Sequence, residues 1–170
     1  QPDQYRSAAH LIEEALRQHA GQPFSVCMER WMSYAELERQ SAALGAWLQG
    51  QGLAPGARVA IMLPNIPQFA VTMAAVLRAG YVCVNVNPLY TARELEHQLK
   101  DSGASAIVIL ENFAHTLAEV IDHTGVQHVV MASMGDLLGF WYGRWITFAV
   151  RHLAKMVPAY ELPLTNGRKV

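Results

Sequence analysis

A chain of 170 residues and 18.8 kDa, 52% hydrophobic and 16% charged, is large and apolar enough to bury one substantial core. Thirteen basic against 14 acidic residues give a net charge of -1, so the overall electrostatics offer no reason to expect nucleic acid as a partner. Cys27 and Cys83 lie far apart and match no metal-ligand spacing; they read as buried, reduced thiols, which favours a cytoplasmic setting.

The chain opens with Leu11, Ile12, Ala15, Leu16 and His19 at helical spacing, with Glu13, Glu14 and Arg17 between them. This is an amphipathic helix stopping near Gly21, and its acidic residues are foreign to a secretory signal. PFSVCME and WMSY then read as a short strand pair around Glu29 and Arg30. Ser33-Tyr34-Ala35-Glu36 is a capping box, in which hydroxyl and carboxylate each satisfy an unpaired backbone N–H, so a helix starts there. Its expected inward positions are Leu37, Ala42, Leu44 and Leu48, with Gly50 and Gly52 ending it.

From residue 58 apolar runs and helical patterns alternate: RVAIML, PQFAVTMAAVLRAG, YVCVNVN, TARELEHQLKDSG, AIVIL, HTLAEVIDHTG and HVVMAS. The strands are apolar at consecutive positions, the composition of strands covered on both faces. The expected fold is therefore α/β, with a mainly parallel sheet flanked by helices. Val59 to Leu77 is uncharged and long enough to span a bilayer, but Pro64, Asn65 and Pro67 break it. Thr91-Ala92-Arg93-Glu94 is a second capping box, with Leu95 and Leu99 inward, a Glu96–Lys100 pair outward and Gly103 as the left-handed stop.

Phosphate-binding turns in such folds use glycine, because side chains keep phosphate from the helix N–H groups. The turns here, LPNIP, NVNPLYT and LENFAH, have none, which argues against a dinucleotide-binding domain. The histidines, including His97 and the His115/Glu119 pair, read as surface polarity, and Asp101, Glu111, Asp122 and Asp136 as turn formers. Ser102, Ser105 and Ser133 lack a nucleophile-elbow context. The residues alone thus show no catalytic, cofactor or metal constellation.

One local feature exceeds background. Across residues 137–157, Arg144, Arg151 and Lys155 share one side of an expected helix with Phe140 and Phe148, beside an apolar spread of Trp145, Ile146, Ala149, Leu153 and Met156. Rings entering a headgroup boundary and cations meeting anionic lipid would suit it, giving Phe140, Trp141, Arg144, Trp145, Phe148, Arg151 and Lys155 as candidate membrane contacts. The competing reading is a helix covering the core or another subunit, its basic stripe solvated. The expected organisation is a lobe over 1–135, this helix over 136–158 and a tail over 159–170.

YVCVNVNPLYTARELEHQLKDSGASAIVI resembles the early region of adenylate-forming enzymes, and among them the bacterial long-chain fatty-acid-CoA ligases. WMSYAELERQSAALGAWL, GARVAIMLPNIPQFAVTMAAVLRAG and HTLAEVIDHTGVQHVVMASMGDLLG support the likeness over nearly the whole chain. The resemblance implies the N-terminal lobe of an enzyme that joins a fatty acid to AMP from ATP with Mg2+ and passes the acyl group to CoA. It also implies that the phosphate loop, adenine and ribose contacts and catalytic lysine belong to later regions, so no catalytic or cofactor residue carries over. The expectation is an N-terminal piece, inactive alone, whose partners are the rest of the ligase, an anionic inner-membrane surface or a second copy. The alternatives are a stand-alone binding or docking module and a ligase for a shorter or aromatic acid.

Overall fold

The computed structural model describes residues 5–162. The chain forms two compact units, one built from the residues through Ala57 with Ile66–Cys83, the other from Arg58–Asn65 with the residues from Val84 onward.

In the first unit, α1 (Ala8–Gln18) starts at Ser7, whose Oγ accepts from the His10 N–H at 3.1 Å. Leu16 is its buried contact, whereas Leu11, expected to face inward, remains 45% exposed. Strands β1 (Pro23–Cys27) and β2 (Arg30–Ser33) pair antiparallel around Met28 and Glu29, both at positive φ. Such a two-residue turn matches the twist of the strands, here without the customary Asn-Gly. Helix α2 (Tyr34–Gly50) begins with the expected capping box: Ser33 Oγ accepts from Glu36 N–H at 3.2 Å, and Glu36 Oε2 from Ser33 N–H at 3.0 Å.

The inward stripe of α2 differs from expectation. It runs through Leu37, Ser41, Gly45 and Leu48, while Ala42 is exposed and Leu44 half-buried. The reason is α3 (Pro67–Arg78): a Cβ on Gly45 would stand 3.3 Å from the Ala75 carbonyl oxygen, so small residues face the contact. Arg78 closes this unit by donating to Ser41 Oγ at 2.7 Å and pairing with Glu13 at 2.5 Å. Cys27 and Cys83 are free thiols but half-buried rather than buried. Desolvation pushes the Cys83 thiol up to about 11, so it stays protonated and unreactive near neutrality.

The four-stranded sheet has the order β4-β3-β5-β6, with β3 (Arg58–Met62), β4 (Val82–Asn85), β5 (Ala106–Leu110) and β6 (His128–Ala132). β5 is parallel to β3, Val59 opposite Ala106, and to β6, Ile107 opposite Val129. Every residue of β5 is buried, as its unbroken apolar run requires, whereas Val82 of β4 is 47% exposed because β4 is an edge strand. Helix α4 (Ala92–Ser102) contributes Leu95 and Leu99, both fully buried, to a core with Met62, Val86, Ile107 and Ile109. Its capping box, its Glu96–Lys100 pair at 2.5 Å and Gly103 at φ 62° all stand where expected.

A short 3-10 turn over Glu111–Phe113 leads into α5 (Ala114–Val120), which is shorter than its sequence pattern and closes with another 3-10 turn, Ile121–His123. After β6 a loop leads to α6 (Phe140–Phe148), which continues as a π-helical turn, Ala149–Leu153. The helix expected over 137–157 is thus shorter at both ends, and Lys155 stands beyond it at φ 50°. Gly139, at φ 93°, sets its start. Residues 163–170 of the expected tail lie outside the described residues.

Candidate functional site

The strand order places β3 between its chain neighbour β4 and the later β5. Ligands in open α/β sheets gather outside the carboxyl ends of the strands where the order reverses, here beyond β3 and β5. In the sequence, Glu111 at that end of β5 passes for a turn former. In the structure it is fully buried and paired with Arg151 of the π turn, Arg151 Nε donating to Glu111 Oε2 at 2.7 Å. The carboxylate hydrogen bond raises the Arg151 pKa, stabilising the guanidinium.

Two further ties converge there. Asn112 Nδ2 donates to the Met156 carbonyl at 3.0 Å, and Gly143 of α6 lies against Gly135, leaving no room for a methyl group on either. Asp136 Oδ2 accepts from Ser133 N–H at 2.6 Å. Partial desolvation, then the nearby Glu111 charge, outweighs that bond and pushes the Asp136 carboxyl up. Between the 133–139 loop and α6 runs an open groove of about 730 Å³, lined by Ser133, Asp136, Phe140, Arg144, Thr147 and Arg151, among others.

The chemistry at the strand ends is acceptor-rich. Glu111 Oε1 and Asn112 Oδ1 are buried without a hydrogen-bond partner among the described residues. Phosphate oxygens also accept, so these atoms do not fit a triphosphate. The other Glu111 oxygen is held by Arg151, and the described residues bring no three His, Cys, Asp or Glu together. The glycine-free turn after β4 is occupied by its own bonds, with Leu89 N–H donating to Asn87 Oδ1 at 3.0 Å and Tyr90 N–H to the Asn87 carbonyl at 3.1 Å.

The seven candidate membrane contacts divide. Trp141, Trp145 and Phe148 recur at helical spacing and are 82, 57 and 47% exposed; Phe140 beside them is 69% exposed. The rings meet mainly one another, Phe140 edge-on to Trp141 and Trp145 stacked on Phe148, with Arg144 over the Phe140 ring. Lys155 is exposed past the helix end. Arg151 differs from the rest because its charge is committed to Glu111. Sequence reasoning missed that pair because the partners are 40 residues apart and no local pattern links them. His115, taken as surface polarity, is half-buried, its Nε2 3.3 Å from Thr116 Oγ1. No helix among the described residues is long and apolar enough to cross a membrane.

Comparison with known proteins defines the class. Residues 12–140 match the AMP-binding enzyme family, and the chain belongs to it. It is 51% identical over 163 residues to a long-chain-fatty-acid-CoA ligase of Escherichia coli, covering 95% of this chain and 29% of the relative. It is 44% identical over 160 residues to the Haemophilus influenzae ligase of the same name, covering 94% of this chain and 28% of that protein. The chain is thus homologous to bacterial long-chain-fatty-acid-CoA ligases and spans less than a third of their length. Among solved structures, the anthranilate CoA ligase AuaEII superposes with a TM-score of 0.71 at 20% identity, over 84% of this chain and 27% of that one, a likeness of fold.

Proposed function

We propose that these residues are the N-terminal region of a long-chain fatty-acid-CoA ligase. The whole enzyme forms an acyl-adenylate from fatty acid and ATP with Mg2+, releases diphosphate and transfers the acyl group to CoA. The observation that carries this reading is 51% identity along 95% of the chain to one such ligase. The described residues contribute a scaffold: the buried parallel strands β3 and β5, two helices opened by capping boxes and a tied α6.

The same reading makes the 170 residues inactive by themselves. Adenylation needs donors and cations arranged around departing diphosphate. The buried atoms open at the carboxyl end of β5 are acceptors. Purified 170-residue chain should support no fatty-acid-dependent ATP–diphosphate exchange, whereas the natural full-length protein should support it with palmitate and much less with benzoate. Exchange by the short chain would end the claim of inactivity. Preference of the full-length protein for benzoate would replace the long-chain assignment with an aromatic one.

A further inference from the structure

We propose that the first unit carries a binding site for a small neutral apolar group, in a cavity walled by α1, β1, α2 and α3. The cavity measures about 180 Å³ and shares no lining residue with the groove beside α6. Three alanines make the room: Ala15 of α1 and Ala70 and Ala74 of α3 stop at Cβ where a longer side chain would fill the space. Leu16 and Leu37 beside them are buried, and Leu11 marks the open side. Apart from the Tyr34 hydroxyl and the Met73 sulfur, the lining side chains are hydrocarbon. Water needs at least about two polar partners to stay in such a place, so the cavity is dry.

The walls are held and cannot simply close. Arg78 of α3 pairs with Glu13 of α1 and donates to Ser41 Oγ and the Glu38 carbonyl of α2, at 2.7 and 3.2 Å, which sets the spacing of the three helices. Gly45 already stands against the Ala75 carbonyl, so α2 and α3 have no closer approach to make there. Phe24 meets Tyr34 edge-on with ring centroids 5.1 Å apart, and His19 backs the same ring at 5.4 Å. The site thus depends on the packing of four elements on one another and not on a bare face. A dry apolar cavity of about 150 Å³ takes benzene, so this one has room for about six or seven carbons. No lining side chain is charged, which makes the buried part of the ligand neutral: a carboxylate or phosphate would lose its water and gain no partner.

Because the readout is binding rather than activity, failure of the ligase reading leaves this site untouched. The natural full-length protein is titrated with benzene and with straight-chain 1-alkanols of increasing length, and the rise in thermal midpoint is measured. In wild type the gain with each added carbon should continue to about six or seven carbons and then stop. Ala74→Leu puts an isobutyl group into the space and should weaken benzene at least about tenfold. Leu37→Ala takes one out and should move the stopping point up by about three carbons. Sites elsewhere in the enzyme are common to all three proteins and drop out of the comparison. Dodecanol binding as tightly as hexanol would mean that the end of a longer chain enters past Leu11, and hexanol binding alone that a whole small molecule does. Wild-type crystals under xenon should show a bound atom between Ala15 and Ala74, a measurement that does not depend on how well either variant folds. An unchanged stopping point and benzene affinity in both variants would overturn the proposal, and so would a xenon-pressurised crystal with no atom in this cavity.

Discussion

Helices α4 and α6 belong to the same unit and are of similar length, eleven residues against nine, but they are specified in opposite ways. α4 carries its instructions within its own segment: Thr91 and Glu94 cap its start, Gly103 its end, and Leu95 and Leu99 bury completely. α6 has no side-chain cap; Gly143 is its buried residue, and distant residues hold it, Glu111 for Arg151 of its π turn and Gly135 for Gly143. A helix fixed by hydrophobic core contacts is scaffold. One fixed by polar ties on one side leaves its rings exposed on the other.

Four substitutions break or sharpen that contrast. Leu99→Ala should cost about 3 kcal/mol of global stability, seen as a lower denaturant midpoint, because it opens a cavity in a fully buried site. Arg151→Ala leaves a buried carboxylate unpaired; since Arg151 is 46% exposed and water can partly replace it, about 2 kcal/mol is expected. Its signature should be local, with proteolysis and amide exchange rising over 139–156 before the sheet yields, and a double change with Glu111→Leu should recover part of the loss. Gly135→Ala should release the same segment, since a methyl there meets the Gly143 carbonyl. Thr91→Ala should cost about 1 kcal/mol through the lost cap, with no effect on α6.

Acid should separate the two helices by sign. The Glu94 carboxyl of α4 is held below its ordinary 4.5 by the Thr91 backbone bond first and the Thr91 hydroxyl second. A lowered folded value means stability that is full above about 4.5 and lost as pH falls through the folded value, so Glu94→Gln should flatten the acid limb of a stability profile, and Thr91→Ala, which keeps the backbone N–H, should flatten it less. Asp136 beside α6 is shifted the other way, by desolvation first. Ionising it costs stability as pH rises through its raised value, so mild acid should loosen the cap of α4 before the loop of α6. The smallest effect belongs to Lys100→Ala, whose exposed pair with Glu96 should be undetectable in a denaturation midpoint.

Both capping boxes, the left-handed Gly103 and the buried strands were legible because each is a short-range pattern with a single physical solution: an unpaired N–H needs an acceptor nearby, and a continuous apolar run needs cover on both faces. The stripe of α2 was misplaced onto Ala42 and Leu44 because hydrophobicity alone does not reveal that α3 approaches closely enough to demand Ser41 and Gly45. The basic aromatic composition of residues 140–155 was equally plain in the sequence, but not which cation would pair with Glu111.

The order of strands and helices, the caps and the family were therefore set by the sequence read locally, since neighbours along a chain meet whatever else the fold does. Glu111 became a buried anchor and Arg151, still half-exposed, was paired with it only through a contact between residues far apart in the chain. Such pairings depend on where a strand end and a later helix come together in space, and no spacing rule encodes that.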